Sequence, residues 1–339
     1  MADNQQPAFS SNGTSGSSTG GEIKFSYGGQ AVIEGVMMRG AHSAAIAVRN
    51  PKGEIVVHEQ PLNAAIYRGR ISRTPFVRGL VGLWDALGLG MRALMWAADV
   101  AVGEDEDISF SGPIGWATIA FSLVFGIGLF FILPTAAASG LESLLGLTEK
   151  SFLVNLLEGA VRLLIVVGYI WLIGRLSDVK RLFGYHGAEH KTINAYEAGA
   201  ELTPEVVQNY PIEHPRCGTA FLLTVVFVSV LVFSVLGRPA WYILFLSRIL
   251  LIPVVAGIAY EFIRFTAKNM HNPIIRIIII PNLMLQHLTT RQPDLHMLEV
   301  AIVAFKRVLV SEDLLPAEEA TIPEPRPEAV SPTFAPSGD

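Results

Sequence analysis

The sequence predicts a mainly α-helical integral membrane protein with about four transmembrane helices, amphipathic interfacial helices and a small N-terminal cytoplasmic β element. Of the 339 residues, 51% are hydrophobic and only 16% are charged, whereas ordinary soluble chains carry roughly 25% charged residues. Several segments reach the length of about 20 apolar residues that a helix needs to cross a bilayer. Lysine and arginine are concentrated in alternate connections between these segments.

Four segments are nearly free of charge, as spans must be because charged side chains are costly in the bilayer core. They are residues 116–134, 156–174, 219–236 and 241–262. A fifth stretch, 274–288, contains Arg276 and Pro281 and is expected to be re-entrant or interfacial.

Two pairs of opposite charges occur in or beside the spans, namely Glu158 with Arg162 and Glu261 with Arg264. Their helical spacing predicts neutralising pairs near the span ends, where long side chains reach the headgroups. With no charge expected at the centre of a span, a transporter is disfavoured.

The basic residues predict the orientation of the spans. Loop 175–218 carries five Lys or Arg residues, whereas the loops on the opposite side carry only Lys150 and Arg238. The positive-inside rule therefore places loop 175–218 and both termini in the cytoplasm, with the chain in the inner membrane. The net charge of −5 gives no support for a nucleic-acid partner.

The sequence divides into four regions. Residues 1–22 and 311–339 have the composition of disordered tails. Residues 23–110 hold the β element and an amphipathic helix, and residues 111–310 form the transmembrane domain. The only cysteine, Cys217, excludes an intrachain disulfide.

The N-terminal region contains two short β-prone runs, 44–48 and 54–58, joined by a turn sequence at 50–53. The glycine-rich segment 27–40 precedes them and includes Glu34 and Arg39; turns are favoured there over a binding loop. Residues 75–98 and 294–310 are predicted amphipathic helices that pack in the core or at the membrane interface.

One constellation points to chemistry, the sequence Tyr185-His186-Gly187-Ala188-Glu189-His190-Lys191. On a helix, His186 and His190 project from one face, so both imidazoles can reach one Zn²⁺ while Glu189 acts as a general base. His214 and Cys217 follow in the same loop. A closed structural site would use four of these five residues, and a catalytic site three. A solvated helix face that touches lipid headgroups is the alternative.

Three motifs together resemble the YqhQ-like family: the segment Gly28 to Gly40, the segment Tyr185 to Lys191, and the segment His214 to Thr219. The resemblance covers about residues 23–310. Members of that family are bacterial multi-pass membrane proteins of unknown function, with relatives in plastids. The resemblance implies a metal-dependent activity that rests on the same His, Glu and Cys residues.

Two functions follow from these observations. The first is a metal-dependent hydrolase that acts on a membrane-associated substrate and uses Zn²⁺ or another divalent metal. In it, His186, His190 and either His214 or Cys217 hold the metal, Glu189 handles the proton, and Glu34 with Arg39 orients the substrate. The second is a non-catalytic membrane scaffold or assembly factor that docks a membrane-protein partner.

Overall fold

The computed structural model describes residues 27–67, 69–103, 112–146, 151–215, 217–236 and 239–325. The predicted tail 1–22 lies outside the described residues. The strands are β1 Gly28–Val32, β2 Gly35–Arg39, β3 Ser43–Arg49 and β4 Ile55–Pro61. The helices are α1 Ala64–Tyr67, α2 Val77–Val102, α3 Pro113–Ile127, α4 Leu133–Leu145, α5 Ser151–Ile173, α6 Ser177–Glu197, α7 Pro204–Val207, α8 Gly218–Leu236, α9 Trp241–Leu250, α10 Ile252–Lys268, α11 Pro273–Thr289 and α12 Leu295–Ser311. A mainly helical chain with a small N-terminal sheet is confirmed.

The four strands form one antiparallel sheet in the order β1-β2-β3-β4, each paired with its neighbour in the chain. Both predicted strands are confirmed, as is the turn between them, where Asn50 Oδ1 accepts from the backbone N–H of Lys52 and Glu54. The glycine-rich segment is the hairpin β1–β2, in which only residues 33 and 34 form a turn, so its two strands were not predicted. Glu34 lies at the hairpin tip with a φ of 51°, a left-handed conformation that is uncommon outside glycine.

The middle of the sheet is buried on both faces: all seven residues of β3 are buried, whereas the edge strands β1 and β4 are partly exposed. Helices α6 and α12 cover one face, and α2 covers the other. A strand covered on both sides favours small or apolar residues, which the sequence Ser-Ala-Ala-Ile-Ala-Val of β3 supplies; the seventh residue, Arg49, is buried in an ion pair. The predicted amphipathic helices 75–98 and 294–310 are α2 and α12, and α12 belongs to the core of the sheet region.

The structure contains fewer long apolar helices than the four predicted spans. Within the described residues, Gly115–Leu145 and Phe152–Ile173 are long and apolar enough to cross a bilayer, and the pair α9 and α10 makes a third if it counts as one span bent by 44°. The apolar helix Phe221–Leu236 and helix α11 are shorter. The α9–α10 break adjoins Pro253, which lacks the N–H that a continuous helix requires.

The charged pairs differ from the prediction in two respects. Glu158 and Arg162 do pair at 2.8 Å, but Arg162 is the twelfth of the 23 residues of α5 and is buried, so the expectation of charges only near span ends was wrong. Glu261 pairs with Arg78 of α2 rather than with Arg264. Neighbouring helices supply partners that local spacing does not reveal.

The chain does not leave the fold at residue 311, where we expected a tail. Glu312 Oε1 accepts hydrogen bonds from the backbone N–H of Ala41 at 2.6 Å and of His42 at 2.9 Å. The carboxylate thereby attaches the residues after α12 to the connection between β2 and β3. Residues up to 325 are described, and 326–339 of the predicted tail are not.

Glu299 is expected to be essential to the packing of α12 on the sheet, because it forms a buried ion pair with Arg49 of β3 at 2.7 Å. Glu299→Ala leaves a buried guanidinium unpaired, and we expect it to lower the free energy of unfolding by about 3–5 kcal/mol. The double variant Arg49→Met/Glu299→Leu removes both charges, so its free energy of unfolding should fall much less. Equal losses in denaturant titrations of the two variants would contradict this.

Candidate metal centre

Helix α6 carries the predicted motif, and it places His186 and His190 one turn apart on the same face. Their ring centroids lie 4.5 Å apart. His190 is buried and His186 is half-buried. The predicted helical arrangement of the two histidines is therefore confirmed.

Cys217 joins these two histidines from the connection that precedes α8. The ligand atoms of His186, His190 and Cys217 all lie within 4.8 Å of one another, and His186 Nε2 is 3.2 Å from Cys217 Sγ. Zn²⁺ takes bonds of about 2.0–2.3 Å to imidazole nitrogen and thiolate sulfur. Small side-chain movements would bring three donors of this spacing around one ion.

His214 lies beside this group without belonging to it. Its ring centroid is 5.6 Å from that of His190. Its backbone is held by Gln286 of α11, which accepts from His214 N–H and donates to its carbonyl, both at 2.9 Å. The sequence left His214 and Cys217 as alternatives for the third ligand, and the structure brings Cys217 to the histidine pair.

Backbone carbonyls determine the tautomer of both histidines. His186 Nδ1 lies 2.8 Å from the carbonyl of Thr289, and His190 Nδ1 lies 2.6 Å from the carbonyl of Ile212. A carbonyl only accepts, so each Nδ1 carries the proton and each Nε2 keeps its lone pair, as in metal-binding histidines. His190 Nε2 is buried and has no hydrogen-bond partner among the described residues. This orphaned nitrogen fits a metal ligand.

Two more polar side chains of α6 hold the connection that leads to Cys217. Lys191 Nζ donates to the carbonyls of Gln208 and Tyr210 at 2.8 and 2.6 Å. Asn194 Nδ2 donates to the carbonyls of residues 211 and 213 at 2.8 and 3.0 Å. Burial lowers the pKa of Lys191. Sequence reasoning missed this clamp because its acceptors are backbone atoms, which leave no signal in residue type.

Glu189 is buried between α6 and β1. Gly29 of β1 donates its backbone N–H to the carboxylate, and a Cβ on Gly29 would stand 3.1 Å from Glu189 Cγ. Burial raises the pKa of Glu189, while the hydrogen bond from the Gly29 backbone N–H and the positive charge of Arg39 act in the opposite direction. A carboxyl group whose pKa is raised by burial is a candidate general acid or base.

Glu34 does not share the contacts of Glu189 and instead forms an ion pair with α6. Arg181 donates to both of its oxygens at 2.7 and 2.6 Å, and the Tyr185 hydroxyl lies 3.3 Å from one of them. Hydrogen bonding to Glu34 raises the pKa of Arg181. This ion pair attaches the hairpin tip to α6, one turn before His186. The substrate-orienting role of Glu34 and Arg39 stays a prediction.

Gly187, between the two histidines, allows the backbone after α11 to approach α6. A Cβ at this position would lie 2.2 Å from the carbonyl of Arg291 and 2.9 Å from Ile212 Cδ1. The same approach brings the carbonyl of Thr289 to His186. The glycine inside the motif is therefore a packing requirement of the site.

These observations define a mainly helical protein with long apolar helices and a sheet-supported candidate metal centre of two histidines and one cysteine. The chain belongs to the family described as "Protein of unknown function (DUF1385)", whose profile matches residues 74–311. It is 32% identical over 300 residues to the uncharacterized protein YqhQ of Bacillus subtilis (strain 168), covering 85% of this chain and 93% of that relative. No solved structure matches. The resemblance to the YqhQ-like family is confirmed.

Gly187→Ala should destabilise the protein more than Gly184→Ala, although both glycines are buried in α6. At Gly187 the new methyl group meets a backbone carbonyl, whereas at Gly184 it meets the flexible end of Met297, 2.6 Å from its sulfur. We expect Gly187→Ala to cost about 1–3 kcal/mol of unfolding free energy. Thermal unfolding of both variants measures the difference, and equal melting temperatures would refute the close approach.

Proposed function

We propose that the protein is anchored in the cytoplasmic membrane by its apolar helices and carries a metal-dependent hydrolase site at its cytoplasmic face. The convergence of His186, His190 and Cys217, with both imidazoles held in the metal-binding tautomer, carries the proposal. Family membership neither adds nor removes an activity, because the family's function is not established.

The membrane part of the proposal rests on exposed apolar surface. Phe121 and Val124 of α3 are 71% and 70% exposed, and none of the apolar window in Gly115–Leu145 is buried within the protein. Contiguous apolar surface of this extent is unfavourable in water and favourable in lipid. Trp116 and Trp241 lie exposed near helix ends, where tryptophan is enriched at membrane interfaces.

Three protein ligands favour a catalytic over a structural centre. Structural zinc sites use four protein ligands, whereas catalytic sites use three and keep a position for water or substrate. His186 is the most exposed member of the group, so the side of the centre next to it is where a substrate would enter. Apolar helices α8 and α11 adjoin this side through Cys217 and Thr289, which favours a substrate held in or at the bilayer.

Each residue has a distinct task in this proposal. His186 Nε2, His190 Nε2 and Cys217 Sγ bind the ion, and the carbonyls of Thr289 and Ile212 keep the two rings oriented. A divalent ion would supply Lewis acidity that polarises a carbonyl or phosphoryl oxygen of the substrate. Glu189 takes up or delivers the proton at its carboxylate, whose pKa is raised by burial.

Purified protein is expected to bind one divalent ion per chain. His190→Ala and Cys217→Ala should abolish binding, because a centre with two protein ligands holds the ion weakly. His271→Ala, an exposed histidine after α10, is the matched control and should keep full stoichiometry. Elemental analysis after dialysis measures the ratio. Wild-type protein without bound metal would end the proposal, and loss of metal in His214→Ala would identify a fourth ligand.

Glu189→Gln separates catalysis from metal binding. We expect the variant to keep its ion and to lower the hydrolysis rate by about 10²–10⁴-fold, since only the proton transfer is removed. The rate would be measured with protein in liposomes that carry a panel of phospholipid esters and membrane peptides. Glu205→Gln, at an exposed position of α7, serves as the control. A metal-loaded wild type that hydrolyses nothing, but co-purifies with a membrane protein, would favour the scaffold.

A further inference from the structure

Three charged side chains meet inside the helix bundle that contains α5, α8 and α9, away from the candidate metal centre. Glu158 and Arg162 come from α5, and Arg248 comes from the last turn of α9; all three are at most 3% exposed. Glu158 Oε1 accepts from Arg162 Nη2 at 2.8 Å and from Arg248 Nε at 3.2 Å, and Oε2 accepts from Arg248 Nη2 at 3.3 Å. One carboxylate thus serves two guanidinium groups.

Within the part of the chain that the structure describes, the other hydrogen-bond partners of the two arginines are neutral. Arg162 donates to Ser229 Oγ at 2.8 Å and to the carbonyl of Phe130 at 3.0 Å. Arg248 donates to Asn155 Oδ1 at 3.1 Å. The hydrogen bonds of these two arginines therefore involve two positive charges and one negative charge. Buried charge that is not balanced is strongly unfavourable, so a built-in excess calls for a counter-charge.

Arg248 also has an unused donor. The side chain of Arg248 is fully buried, and its Nη1 has no hydrogen-bond partner among the described residues. The Phe233 ring lies 4.1 Å from the guanidinium carbon, and a ring face compensates a cation only in part. The excess charge and the free N–H thus occur on the same side chain.

The backbone around this cluster is irregular. Residues Gly128–Ile132 form a π-helical segment between α3 and α4, and the carbonyl of Phe130 within it accepts from Arg162. The bend of 44° between α9 and α10 follows Arg248 within three residues. Single π turns and broken helices recur at ligand and ion sites of membrane proteins.

We propose that the bundle binds a small monovalent anion against Arg248 Nη1. One added negative charge makes the group of two arginines and Glu158 neutral. An anion also accepts a hydrogen bond from the unused N–H of Arg248 and brings no new donor into the bundle. Chloride and a carboxylate share this chemistry. The site is built from α5, α8 and α9, so it does not depend on the metal or on the proposed hydrolase activity.

Anion-dependent thermal stability tests the proposal. The full-length protein in lipid nanodiscs would be melted at rising chloride or acetate. Gluconate, a carboxylate much bulkier than the small anion proposed, would keep the ionic strength constant, and a chelator would remove any metal together with anions bound to it. We expect the melting temperature to rise by several degrees, because a ligand that binds only the folded state stabilises it by mass action. The larger effect, from chloride or from acetate, identifies the natural class of ligand.

Two variants locate the effect. Arg248→Met removes the excess charge and should abolish the dependence on chloride and acetate. Asn155→Asp places a carboxylate beside Arg248 and should also abolish it, which decides the matter if Arg248→Met does not fold. Arg175→Met, an exposed arginine stacked on Trp171, should respond like wild type. Identical melting in chloride, acetate and gluconate, or an unchanged response in Asn155→Asp, would overturn the proposal.

Discussion

The candidate centre depends on the hydrogen bonds that polar side chains of α6 donate to backbone carbonyls. Side chains of this helix hold the connection between α7 and α8 through carbonyls from residue 208 to residue 213, and they reach the end of α11 through Thr289. Each of these bonds pairs a polar donor with a backbone carbonyl and fixes the position of a loop. The same contacts orient the imidazoles, so the arrangement that stabilises the loop also prepares the ligands.

A rigid support for α6 comes from the sheet. Helices α6 and α12 cover one face of the four strands, while Glu34 at the hairpin tip is bound to Arg181 one turn before the motif. Gly29 brings β1 close enough to contact Glu189. The N-terminal strands, which contain no ligand, therefore determine the environment of the carboxyl group and restrict the movement of the helix that bears the histidines.

The apolar helices contain a second polar centre that is unlike the first. There the donors are arginines, the acceptors are Glu158 and neutral groups, and the surroundings are the side chains of a helix bundle. The two centres share no residue. The candidate metal centre and the charged cluster of the bundle are therefore structurally separate.

Much of this architecture follows from local patterns. The strands 44–48 and 54–58, the helices around 75–98 and 294–310, and the one-turn spacing of His186 and His190 each depend on residues close in sequence, so their periodicity and turn residues suffice to predict them. The apolar segments are recognisable for the same reason, although their lengths and breaks are not.

Contacts between distant segments required the folded chain. No local pattern could tell that Cys217 rather than His214 meets the histidine pair, that Glu261 binds Arg78, or that Arg248 joins Glu158 from 90 residues away. Such pairings depend on the packing of whole helices and on backbone carbonyls, which every residue carries alike. Residue type thus predicted which side chains were chemically able to form a site, and packing selected those that come together.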